Sequence, residues 1–192
     1  MKQTPIDSNF FPVMPVALLG TTTSEGAATF MTVGWCSRVN AAPPMIAVGV
    51  HNSHQTGPNI LRNQAFSLCF PDSVLVERTD YCGIVSSKKT DKSAVFSTFT
   101  QNIHAAPLIT ECPINLECTL HSHVELPSNT IFIGEIQGAY AREDVLVDGS
   151  PSMEAMHPLL LTMPDNRYWT LGDVAGQAWR DGVAFKKRLK NN

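Results

Sequence analysis

Val13-Met14-Pro15-Val16-Ala17-Leu18-Leu19-Gly20 is a short apolar run. It ends in Thr21-Thr22-Thr23 and is followed at once by Ser24-Glu25-Gly26 and by Thr29-Phe30-Met31-Thr32-Val33-Gly34-Trp35. The two runs have the length and the Val, Thr and aromatic content of strands. Ser24-Glu25-Gly26 supplies turn chemistry between them, so the stretch predicts a β-hairpin. Outward from it the same alternation continues. Asn40-Ala41-Ala42-Pro43-Pro44 breaks the pattern before Met45-Ile46-Ala47-Val48-Gly49-Val50, and Ala65–Phe70 reads as a further strand. The longest strand candidates are Ile114–Glu125 and Thr130–Arg142, separated by Leu126-Pro127-Ser128-Asn129, and residues 166–172 fit a last one. Short helices interrupt the series. Thr56–Asn63 has Thr56 placed as N-cap and Pro58 in the first turn. Val74–Val85 reads as a second helix, and a basic helix is expected over about 173–190. The pattern predicts one β-rich, all-β barrel domain spanning residues 1–192, with its core over about 13–172.

Composition narrows the function classes. Hydrophobic residues make up 43% and charged residues 16% of the 192, so the chain can bury a core and is far from a disordered composition. Fourteen basic against seventeen acidic side chains give a net charge of −3, which leaves no electrostatic footprint for nucleic acid or an anionic membrane. No run of eighteen apolar residues occurs, so no membrane-spanning helix is expected. The five cysteines, Cys36, Cys69, Cys82, Cys112 and Cys118, are odd in number in a chain long enough to do without disulfide staples. Free thiols in a reducing compartment are expected and, with no signal-peptide run after Met1, a cytoplasmic location.

Two segments can carry chemistry. Val50-His51-Asn52-Ser53-His54-Gln55-Thr56-Gly57-Pro58 leaves a strand and enters a helix start, where unpaired N–H groups and the macrodipole favour an anion. Ser53 and Thr56 add hydroxyl donors and His54 an imidazole, so the segment suits a phosphate; a capped surface turn is the plainer alternative. Phe30–Asn40 brings Gly34, which permits close approach of a flat ligand, next to Trp35, and its backbone can donate to ring heteroatoms. Residues such as Trp35 are more often core than cofactor shelf, and an inert buried cysteine is a commoner reading of Cys36 than a reactive thiol. Cys112, Cys118, His121 and His123 match no standard zinc spacing. The chain has neither a Gly-x-Ser-x-Gly elbow for Ser-His-Asp hydrolysis nor a Rossmann glycine fingerprint.

Six stretches, taken in order, resemble the flavin reductase-like, flavoredoxin-type FMN-binding split barrels. They are Met14–Leu18, Thr32–Asn40 with Pro43-Pro44-Met45, Asp80–Gly83 with Ser86-Ser87 and Asp91-Lys92, Ala106–Pro113, Phe132–Ile136, and Arg167–Gly172. The resemblance implies a closed, Greek-key-like antiparallel barrel with FMN near a two-fold homodimer interface. Thr32, Val33, Gly34, Trp35 and Cys36 would then line the isoalloxazine ring, and Thr56, His54 and Ser53 would hold the phosphate. Cys82, Gly83, Ser86 and Ser87 would close over the ribityl chain or ring edge, with Leu108 near the dimethylbenzene end. Lys88 and Lys92 become anion contacts, or else belong to a solvated loop.

One departure stands out. Before Phe132-Ile133-Gly134-Glu135 the family usually carries a histidine facing the flavin, and here Asn129 takes that place. Asparagine hydrogen-bonds but neither holds a positive charge nor passes a proton. The resemblance implies an NADH- or NADPH-dependent flavin oxidoreductase in which the nicotinamide visits the flavin transiently, with Asn129 and Cys36 as the residues at the reacting side. The alternative is a flavoredoxin-type carrier fed by a redox protein partner, and Asn129 favours it.

Overall fold

The computed structural model describes residues 1–87 and 90–189. Fourteen strands and four helices follow in chain order. Phe11–Pro15 (β1), Ala17–Thr22 (β2), Ala28–Val33 (β3), Cys36–Asn40 (β4) and Met45–His51 (β5) lead into helix Thr56–Asn63 (α1) and strand Ala65–Phe70 (β6). A single 3-10 turn, Ser73–Leu75, feeds Val76–Ile84 (α2), where one helix over 74–85 was expected. The short strands Thr98–Phe99 (β7) and Leu108–Ile109 (β8) precede the long pair Ile114–Glu125 (β9) and Asn129–Ala141 (β10). The chain ends with Leu146–Val147 (β11), Ser150–Pro151 (β12), Met153–Met156 (α3), Leu160–Met163 (β13), Arg167–Trp169 (β14) and Asp181–Leu189 (α4).

Seven strands form one antiparallel sheet in the order β3-β2-β6-β9-β10-β5-β4. Laid flat, its edges would stand about 29 Å apart, six spacings of 4.7–4.9 Å. Yet edge strands β3 and β4 are joined by Gly34-Trp35 alone, and three peptide units span at most about 11 Å. The sheet therefore curls until its edges meet, and the split β-barrel follows from chain length alone. The linker is held on the β4 side, where the Gly49 N–H of β5 donates to the Trp35 carbonyl at 2.8 Å.

Period-two alternation sorts the side chains. Ala17, Leu19, Met31, Val33, Val48, Phe66, Leu68 and Phe132 point into the barrel, and Ile60 of α1 joins them there. The backs of β2, β3 and β6 carry Leu18, Phe30 and Cys69, which bury against Leu75, Cys82, Phe96 and Ile109. That second layer explains why β6 is apolar on both faces. Gly134 has no room for a Cβ, because the Phe66 ring and the Cys118 Cβ already fill the place. The split barrel thus needs a glycine where β10 crosses the core.

The apolar run over 13–20 is not one strand. β1 pairs with β13 in a three-stranded sheet, β1-β13-β14, whereas β2 belongs to the barrel. Pro15 has no N–H to offer a ladder, and the Val16 N–H turns to the Leu159 carbonyl at 3.1 Å. The returning strand likewise ends at Val33, before Gly34-Trp35. The basic helix expected over 173–190 begins only at Asp181, and its Lys190 end lies outside the described residues. Among the described residues, no helix is long and apolar enough to cross a membrane.

Candidate functional site

α1 starts where β5 leaves the barrel, and its N-cap is Gln55, not Thr56. No side chain caps this end and no acidic residue sits in the first turn. Pro58 has no N–H, so the Thr56 and Gly57 amides are the donors left without an intrahelical acceptor. The Thr56 side chain turns inward, its hydroxyl donating to the Met31 sulfur at 3.6 Å. Ser53 and His54 stand just ahead of the helix. The Ser53 N–H and hydroxyl both reach His51 Nδ1, at 3.2 and 2.9 Å. A backbone N–H can only donate, so His51 Nδ1 is the acceptor and its ring hydrogen is on Nε2.

Facing α1 across a cleft of about 210 Å³ is the end of α2 with the following loop. Ser53, His54 and Thr56 form one wall; Cys82, Gly83, Ser86, Ser87 and Lys92 form the other. Gln55 and Met31, from the two segments marked in the sequence, and Ile84 and Val85, which no pattern marked, complete the lining. Gly83 lets α2 settle on β3, since a Cβ there would meet Thr32 at 3.3 Å. The Thr32 hydroxyl donates to the Thr79 carbonyl and pins the same contact.

Lys92 settles between its two expected roles: it is not on a solvated loop, being only 4% exposed. Its ammonium donates to the carbonyls of Phe30 and Cys82, at 2.9 and 3.0 Å. Among the described residues no carboxylate pairs with it. Burial holds its pKa below the ordinary lysine value, with the neighbouring Cys82 acting the other way. Burial likewise pushes the Cys82 thiol up, opposed by Lys92. A buried ammonium with one N–H not taken up among the described residues, in one cleft with an uncapped helix start, is an arrangement that suits an anion. Lys88, the other lysine expected to meet an anion, lies outside the described residues.

The Lys92 bond to the Phe30 carbonyl also says which way β3 faces. In an antiparallel strand both backbone groups of a residue point to the same side, and alternate residues share it. The backbone groups of Phe30 and Thr32 therefore point off the sheet edge, away from β2; beyond the strand, the Gly34 carbonyl accepts the Cys36 N–H at 3.1 Å. The Thr32 side chain is turned to α2, so Thr32 offers a ligand its backbone only. Val33, expected beside a flat ligand, turns its side chain to the core and its backbone to Ala17 of β2, and offers neither.

At the end of that edge Trp35 is 53% exposed and lies over the bare backbone of Gly49, so it is not a core residue. Gly34, Trp35 and Cys36 line an apolar cavity of about 890 Å³, walled otherwise by the N-terminal segment around Phe10, Phe11 and Val13. Burial pushes the Cys36 thiol up to about 11, so it stays protonated at neutral pH and is not a reactive thiolate. Leu108 corrects another expectation. It is fully buried in the β7–β8 hairpin and presents nothing to a surface ligand.

Asn129 is the first residue of β10, directly opposite His51 of β5. In the amide orientation that satisfies its neighbours, its oxygen accepts the His51 N–H at 3.2 Å and its nitrogen donates to the Ser128 hydroxyl at 2.8 Å. It lines neither cleft described above. His51 and His54 line a third, about 280 Å³, between α1 and the β9–β10 turn, and His54 is shared with the anion cleft.

A flavin reductase like domain matches residues 12–166. Flavoredoxin from Methanosarcina acetivorans is 48% identical, covers 96% of this chain and all of its own, and superposes with a TM-score of 0.93. Flavoredoxin of Desulfovibrio vulgaris (Miyazaki F) is 27% identical, with 95% and 100% covered and a TM-score of 0.87. Nitrilotriacetate monooxygenase component B from Bacillus cereus, at 18% identity and a TM-score of 0.79 over 92% of this chain and all of its own, shares the fold.

Proposed function

The chain belongs to the flavin reductase like domain family, and from that premise we propose that it is a flavoredoxin-type FMN electron-transfer protein, acting as a homodimer, with little direct NADH or NADPH activity. The observation that carries the reading is the buried Lys92 ammonium, set in one cleft with the uncapped start of α1.

The residues fit the cofactor. The Thr56 and Gly57 amides, the side chains of Ser53, His54, Ser86 and Ser87, and Lys92 would hold the phosphate. The backbone edge of Thr32 offers hydrogen bonds to ring heteroatoms, Gly34 permits close approach, and Trp35 offers a flat apolar shelf. When bound, FMN supplies one- and two-electron redox chemistry at its ring. The chain's own contribution is binding and shielding. Cys36 keeps its proton and so does not add to the ring as a nucleophile. Trp35 and the apolar wall around it would cover one side of the ring.

Two features favour a carrier over a nicotinamide-fed reductase. Similarity to a flavoredoxin runs over nearly the whole chain. Asn129, where the family carries histidine, already gives its amide to His51 and Ser128 and has no proton to pass. The FMN-loaded protein, mixed anaerobically with dithionite, is expected to bleach at once; NADH and NADPH are expected to bleach it slowly. Rapid stoichiometric bleaching by either nucleotide, followed in the visible spectrum, would restore the reductase reading.

A further inference from the structure

From Thr170 to Leu189 every residue whose side chain is described is exposed, and among the described residues the hydrogen bonds of this segment stay within it. The last ties to the body are just before it. The Tyr168 hydroxyl donates to Asp80 at 3.0 Å, and the Trp169 indole donates to Thr162 at 2.9 Å. Yet the segment is not polar. Leu171, Val174, Trp179, Val183, Phe185 and Leu189 are all exposed, and Trp179 reaches 92%. A chain that buries none of these side chains on itself gains nothing by ordering them.

The same chain has an apolar hollow with no cover. Phe10, Phe11, Val13 and Trp35 are each about half exposed around the cavity of about 890 Å³. We infer that residues 170–189 form an arm that packs onto a second copy of this chain, covering the partner's Trp35 cavity while the partner's arm covers this one. A second copy is the occupant that satisfies both surfaces with one two-fold, self-closing contact. Size agrees. A stable interface takes about 20–30 residues a side, and the arm brings twenty, residues 170–189, before the cavity wall is added. Residues 170–180, before α4, give the arm a reach of up to about 38 Å when fully extended. The arm would thus be the partner's contribution to the shelf where the proposed flavin ring lies. The inference shares the homodimer with that function but does not need the flavin.

The test is hydrogen exchange on the full chain at several concentrations, with and without FMN, alongside light scattering. Expected are a mass near twice 21.0 kDa and slow exchange over 171–186 that is lost on dilution, in step with dissociation. The double variant Trp179→Asp, Phe185→Asp is expected to weaken the dimer about 30-fold or more, as loss of a central apolar anchor does. Its monomer should melt as the natural monomer does, because both side chains are exposed there. A dimer whose arm exchanges freely would overturn the inference, as would an arm equally protected in the monomer. Loss of flavin alone changes neither readout and would count only against the proposed function.

Discussion

Lys92→Met lowers FMN affinity about 10- to 150-fold while changing riboflavin affinity little, if the buried ammonium meets the phosphate. That range is the 1.5–3 kcal/mol of a charge-assisted hydrogen bond expressed as a ratio. Methionine keeps the apolar stem that fills this buried position and removes only the charge. The Phe30 and Cys82 carbonyls lose their donor, but the cost of holding a desolvated ammonium disappears with it, so the two changes offset in stability. The pH dependence has a definite sign. Burial depresses the Lys92 pKa below 10.5 in the protein without an anion, and a phosphate dianion beside it raises the value again. Between the two values FMN binding takes up a proton, so FMN affinity falls as pH rises through that alkaline window. Calorimetric titration of both proteins with both flavins checks this. An equal loss for riboflavin would place Lys92 at the ring or in the scaffold alone.

Asn129→His speeds reduction of the bound flavin by NADH or NADPH about 100-fold and gives it a pH dependence near neutrality. A positioned acid or base contributes about 10²–10⁴ to rate, and imidazole is the side chain that titrates there unperturbed. Position 129 opens β10 opposite His51, within the ladder that carries the chain to His54 and the anion cleft. The Ser128 and His51 contacts are made by groups a histidine ring can also satisfy, so the fold has no reason to fail. Stopped-flow reduction between about pH 6 and 8, around the reference histidine pKa, separates the cases. Rapid, pH-independent reduction of the natural protein, unchanged by the substitution, would make Asn129 a bystander.

The sequence was most legible where one signal acted alone. Ala65–Phe70, Ile114–Glu125 and Thr56–Asn63 are the structure's own bounds for β6, β9 and α1, because turn residues flank each and nothing tertiary competes. The run over 13–20 misled because its halves are equally apolar yet serve two sheets, and only the partner strand 145 residues away distinguishes them. Thr56 looked like a cap by composition, but the barrel interior took its side chain. Lys92 could not be told from a solvated lysine, since what buries it is α2 packing on β3, a contact between segments far apart in sequence. Leu108 fell to the same limit: its motif marks a packed hairpin. The two-residue turn Asp148-Gly149, both at positive φ, carried the Asp-Gly hairpin signal that marks β11 and β12.

One titration tests the proposed phosphate cleft most directly: FMN against riboflavin, with the natural protein freed of flavin. The two ligands share the ring and the ribityl chain and differ in the phosphate alone. Two charge-assisted bonds, from Lys92 and from the open start of α1, predict a preference for FMN of about 100-fold or more at neutral pH. Part of that preference should be lost at high salt, as expected of an anion held by fixed charge. Equal affinity for the two flavins would contradict the account.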